Sequence, residues 1–150
     1  MIDRSHIGFC TTPSTASIDA WRVRLFCQAI GETDPVHWDP AAALAAGHPR
    51  CPLPPTFLKA IEGEHFSSAA LLQRLNVPLR GVLHAEQSFT HAAPLYVGDV
   101  VEVCREVIDI VDKREGALTF ITVDTSYRLG AQTVASSRQN ILVRNFLERA

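Results

Sequence analysis

Four prolines fall within eight residues in His48-Pro49-Arg50-Cys51-Pro52-Leu53-Pro54-Pro55. Each proline fixes its own φ, removes a backbone donor and pushes the preceding residue toward extended geometry, so neither a helix nor a central strand can pass through. The block therefore separates stretches whose secondary structure is set independently. Before it the apolar residues recur at helical spacing, and directly after it they do so again. From Val82 onward they follow strand patterns instead. Helices gathered in one half and strands in the other indicate an α+β fold rather than alternating βα units.

Ser17 is the expected N-cap of the first helix, with Ile18, Trp21, Leu25, Phe26 and Ile30 on its apolar face and Gly31 at its stop. A short helix over 40–46 follows, capped by Asp39, opened by Pro40 and ended by Gly47. The range 56–75 reads as the longest helix, roughly 30 Å, with Phe57, Leu58, Ile61, Phe66, Ala69, Leu72 and Leu75 on one face. Gly63 interrupts it and is expected to mark a close backbone approach. Four strands are expected over 82–91, 100–112, 117–128 and 133–145, the last two joined as a hairpin through Leu129-Gly130-Ala131. One long apolar helix followed by four strands suggests a curved antiparallel sheet wrapped round the helix. Such a sheet leaves a strand edge open, so dimerisation is the physical expectation.

Composition narrows the function. Lys and Arg number 14 and Asp and Glu 16, giving 14 − 16 = −2, with no basic stripe of the kind that tracks nucleic acid. Apolar runs fall far short of the roughly 20 residues that span a bilayer, and the N-terminus lacks a signal-peptide pattern. Cys10, Cys27, Cys51 and Cys104 are scattered without a C-x-x-C pair, as expected for reduced thiols. These features suit a single soluble, cytoplasmic domain over 1–150, with no nucleic acid or membrane partner.

The segment carrying chemistry is Gly31-Glu32-Thr33-Asp34-Pro35-Val36-His37. A carboxylate and an imidazole on one short, proline-stiffened loop can hold a water between them and move its protons. The same residues also make an ordinary helix stop, with Asp34 capping locally and His37 exposed. The spacing of Glu32, Asp34, His37 and Asp39 fits no standard metal loop, and neither a metal nor a cofactor is expected. His65 reads as structural or solvated. His84 and Glu86 read as sharing one strand face, a functional pair or a cross-strand hydrogen-bonding one.

The Gly31–His37 stretch resembles the hydratase motif of the MaoC-like, (R)-specific enoyl-thioester hydratases, Gly-Asp-x-Asn-Pro-Leu/Val-His. Pro54-Pro55-Thr56-Phe57 is similar to the entry of the long helix in that superfamily. His84-Ala85-Glu86-Gln87-Ser88-Phe89 and Pro94-Leu95-Tyr96-Val97-Gly98-Asp99 resemble the N-terminal dehydratase domain of FAS1-like proteins. The resemblance implies a hot-dog fold, a helix wrapped by an antiparallel sheet. It also implies reversible hydration of a trans-2-enoyl thioester of coenzyme A or acyl carrier protein to the (R)-3-hydroxyacyl thioester. His37 matches the catalytic histidine; Glu32 stands where the family has aspartate, and Asp34 where it has asparagine. Glu32 and His37 are thus the expected catalytic pair, with Asp34, Thr56, Phe57 and Ile61 as substrate-binding residues.

The amides of Thr56 and Phe57, at the positive end of the long helix, are expected to face the thioester carbonyl. Phe57 and Ile61 are expected to line an acyl tunnel, and Arg50, Lys59 and Arg80 to offer cations for coenzyme A phosphates. The expected assembly is a homodimer or a pair with a homologous chain. The alternative is a non-catalytic subunit that binds the acyl chain for a catalytic partner. A hot-dog thioesterase is a third use of the same fold.

Overall fold

The computed structural model describes residues 2–145. Strand β1 (Ser14–Ser17) leads into helix α1 (Ala20–Ile30), a 3-10 turn over Pro35–His37 and the short α2 (Pro40–Ala45). The proline block then runs to α3 (Phe57–His65) and α4 (Ser68–Arg74). Strands β2 (Val82–His91), β3 (Val100–Lys113), β4 (Leu118–Leu129) and β5 (Gln132–Arg144) complete the chain. The strands form one antiparallel sheet in the order β1-β3-β4-β5-β2. It has five strands rather than four. The additional β1 is four residues long and joins the sheet by its distant pairing with β3, Ser14 opposite Val103 and Ser17 opposite Val100.

That pairing displaces the expected first cap. Ser17 ends a strand, and Asp19 stands at the N-cap of α1. Helix α1 turns inward only part of the face expected, with Phe26 packed against the core. Val23 and Cys27 are buried, whereas Trp21 is 67% exposed, Leu25 57% and Ile30 51%. The short helix forms as expected, with Asp39 Oδ1 accepting from the Ala41 amide.

The long helix of 56–75 is two helices. Phe66 adopts an extended conformation (φ −131°, ψ 116°), and the Ser67 side chain accepts from the Ala70 amide to start α4. Nothing approaches Gly63, since a methyl there would meet no atom within 4 Å. The β4–β5 hairpin closes through Gly130-Ala131, with Gly130 at φ 57°.

Helix α3 lies on the inner face of the curved sheet, whose residues form rungs across the strands. Val103, Tyr127, Ala135 and His91 share one rung; Arg105, Thr125, Ser137 and Phe89 share the next. Val107, Val123, Gln139 and Gln87 make a third. Apolar clusters occupy the two ends of this interior, one around Phe57, Leu58, Ile61 and Tyr127, the other around Leu72, Leu75, Ile121 and Ile141. The middle rung between them is polar at Arg105, Thr125 and Ser137, with Phe89 at its β2 end. Among the described residues, no helix is long and apolar enough to cross a membrane.

Candidate active site

Helix α1 stops because Gly31 takes a left-handed conformation (φ 73°), which lets the Glu32 amide return to the Cys27 carbonyl at 2.9 Å. The turn throws the next six residues into a tight loop. Glu32 Oε1 accepts from the amides of Thr33 and Asp34 at 2.8 and 2.9 Å, so the carboxylate folds over its own loop. The described hydrogen bonds and ion pairs all use this oxygen, leaving Oε2 open. Asp34 Oδ1 accepts from the Val36 amide at 3.0 Å and caps the 3-10 turn. Asp34 is therefore engaged in local capping, the alternative role weighed for it.

His37 is half-buried, unlike the exposed histidine of an ordinary helix stop. Its Nδ1 lies 2.7 Å from the Pro52 carbonyl oxygen. A carbonyl only accepts, so Nδ1 carries the hydrogen and the neutral ring presents Nε2 as a bare acceptor. The proline block thus fixes both the orientation and the tautomer of the imidazole.

The head of α3 bounds a cleft of about 330 Å³ lined by Pro52, Pro54, Pro55, Leu58, His91 and Leu95, among others. His37 is not among the lining residues but bonds to Pro52, which is. Glu32 lines a separate cleft of about 270 Å³ with Arg24, Gln28, Thr33 and Trp38. No hydrogen bond or ion pair joins Glu32 to His37 among the described residues. The two belong to one stiff loop and are both half-buried, but the structure does not place them in one cavity.

Other expected site residues fall differently. The Phe57 amide donates to the Pro54 carbonyl at 3.0 Å, so it is already used; among the described residues the Thr56 amide has no such acceptor, and Thr56 leads into the helix. Phe57 and Ile61 are core residues at 1% and 0% exposure, with Phe57 edge-on to Phe26 at 5.2 Å. The helix residue that lines the cleft is Leu58. Arg50 is engaged by Asp99 (2.6 Å) and packs over Tyr96, and Lys59 is engaged by Glu62 (2.5 Å). His65 is structural, with Nδ1 2.8 Å from Ser14 Oγ. A bulge at Ala85 puts His84 and Glu86 on opposite faces: His84 pairs with inward Ile141, whereas Glu86 accepts from the outer-face Asn140.

Sequence reasoning passed over one cluster. Glu62, 1% exposed, reaches from α3 to the polar rung, where its Oε2 accepts from Thr125 (3.0 Å) and Ser137 (3.1 Å). Its Oε1 faces Lys59 and, at 3.6 Å, the buried Arg105. Burial pushes the Glu62 pKa up, but the Lys59 hydrogen bond and the Arg105 charge outweigh it and hold the carboxyl below the usual range. Burial and the Glu62 charge both push the Tyr127 phenol up, and its hydroxyl donates to the Leu58 carbonyl. The signal was present in the alternation Val101, Val103, Arg105, Val107, which sets an arginine at an inward position.

A helix held inside a curved antiparallel sheet is the hot-dog arrangement, and here a loop bearing a carboxylate and a carbonyl-pinned histidine precedes that helix. Residues 5–135 match the model of the FAS1-like, dehydratase domain region, and the chain belongs to that family. A UPF0336 protein of Saccharopolyspora erythraea is 29% identical over 98% of this chain and 94% of its own length.

Among solved structures, the fold is similar to the C-terminally truncated HadBC (3R-hydroxyacyl-ACP dehydratase) complex of Mycobacterium tuberculosis. The TM-score is 0.79 at 14% identity, covering 91% of this chain and 96% of that one. It is also similar to the (R)-hydratase from A. caviae involved in PHA biosynthesis, with a TM-score of 0.65 at 21% identity over 90% and 94% of the two chains. At these identities the likeness establishes the hot-dog fold.

Proposed function

We propose that this chain catalyses the reversible hydration of trans-2-enoyl thioesters to (R)-3-hydroxyacyl thioesters. The observation that carries the proposal is the bond between His37 Nδ1 and the Pro52 carbonyl, which leaves Nε2 free to accept a proton from water. Carbon 3 of an enoyl thioester is electrophilic because the thioester carbonyl withdraws charge. Hydration therefore needs a base for water, a proton for carbon 2 and a donor for the carbonyl as enolate charge develops. His37 takes the water proton, and Glu32, through its open Oε2, orients that water. The proton on His37 then passes to carbon 2. The Thr56 amide at the head of α3 is the donor for the carbonyl. In the dehydration direction the same groups act in reverse order.

Glu32 and the cleft at the head of α3 are joined into one site by a second chain along the open edge of β2. The match to a two-chain dehydratase complex supports that arrangement. A second reading has its own support: the Glu32 carboxylate is tied to its loop by two amides, which suits a subunit that binds the acyl chain while a homologous partner does the chemistry. Loss of the conjugated-thioester absorbance of a short enoyl-CoA distinguishes the two. Turnover by this chain alone supports the enzyme; turnover that begins only when a homologous chain is added supports the binding subunit.

A further inference from the structure

The interior of this fold is interrupted. Going along α3 from the cleft, Leu58 faces the rung of Tyr127, Ala135 and His91. One turn later, Glu62 faces the rung of Arg105, Thr125 and Ser137 and bonds to the latter two. The next rung, which starts with Val107 and Val123, is polar toward the open edge. Gln139, 7% exposed, accepts from both Arg105 (3.3 Å) and Lys59 (3.2 Å), and its neighbour across to β2 is Gln87. At the open edge the Arg105 rung ends in Phe89 on β2, and Gln139 and Gln87 close the layer one rung further in. Beyond it, the interior becomes apolar again around Ile121 and Ile141.

We infer that the polar layer of Glu62, Arg105 and Gln139 is the floor of the acyl site and restricts this chain to short acyl groups. The inference rests on the acyl-thioester reading above and names the substrate class for it. An acyl chain entering at Leu58 and His91 passes the rung of Tyr127 and Ala135 before it meets Glu62 and Arg105, with Gln139 one rung beyond. Rungs on one sheet face are two residues apart, roughly 7 Å, about the length of six carbons. Pushing methylenes further would strip hydrogen bonds from a buried carboxylate and guanidinium without replacing them, which costs more than burying the methylenes returns. The cleft volume of about 330 Å³ is at the small end of ligand sites. No residue of the layer contacts the reacting atoms; these are specificity-determining residues.

The test uses the whole chain and two series from four to twelve carbons: saturated acyl-CoAs for binding by calorimetry and trans-2-enoyl-CoAs for turnover. Saturated acyl-CoA affinity is expected to rise to about six carbons and to fall at least tenfold by ten. The paired substitution Glu62→Leu with Arg105→Met replaces the ion pair with apolar side chains of similar volume and is expected to move the optimum to longer chains. Gln139→Leu, a milder change, is expected to move it in the same direction. Affinity that keeps rising through twelve carbons in the unaltered protein overturns the inference, as does failure to bind any acyl-CoA. A break at six carbons in binding without turnover of any enoyl-CoA sinks the hydratase reading and upholds the length limit.

Discussion

His37 illustrates how a residue acquires a role through a neighbour far along the chain. Its tautomer is fixed by the carbonyl of Pro52, in a segment where prolines leave few backbone donors and the carbonyls must seek partners elsewhere. Glu62 is the opposite case, a charge with every oxygen committed. Because its folded pKa is depressed, its contribution to stability is fully present above the unfolded value, 4.5, and is lost as pH falls through the folded value. Urea unfolding followed by circular dichroism should therefore show a midpoint that declines once the pH drops below about 4.5. Glu62→Gln leaves Arg105 and Lys59 without a counter-charge and should cost about 3 kcal/mol or more at pH 7. A midpoint unchanged by that substitution at pH 7 would contradict the ion-pair assignment. The carboxylate and histidine of the loop were legible as types in sequence; the partners that orient them were not, because Pro52 lies fifteen residues away through a turn and a helix.

At the scale of elements, punctuation decides what can be read. Gly and Pro bracket β2, and its bounds, Val82–His91, follow from them; Gly130 likewise marks the hairpin. Where apolar spacing runs on without punctuation, the break goes unseen. Phe66, Ala69, Leu72 and Leu75 continue the stripe of α3, and the cue that α4 starts afresh is the Ser67 cap. Ser67→Ala should thus cost about 1 kcal/mol, seen as a lower thermal midpoint, with no change in the α3 contacts. Gly63→Ala should raise stability by about 0.5–1 kcal/mol, because the added methyl meets nothing and the helix loses an entropic burden. A loss of stability there would mean that α3 packs more tightly than its surroundings indicate. In α1 two stripes compete, Trp21 with Leu25 and Val23 with Cys27. Periodicity cannot choose between them, because the sheet decides which one is covered.

At the scale of the molecule, two features call for a second chain. Strand β2 is ten residues long, lies at the sheet edge and is exposed along most of its length, with Leu83 49% accessible. Trp21 and Leu25 add exposed apolar area on α1. Sedimentation equilibrium should give a mass at least twice that of one 16.5 kDa chain, alone or with a homologous partner. A monomer under both conditions would leave the β2 edge unexplained.

The account stands or falls on the proton-accepting nitrogen of His37, and enoyl-CoA absorbance followed with unaltered protein and His37→Ala side by side tests it directly. Turnover in the assembly that supports it should drop by about a hundredfold or more on loss of the imidazole, with acyl-CoA binding retained. Full turnover by His37→Ala would place the chemistry elsewhere.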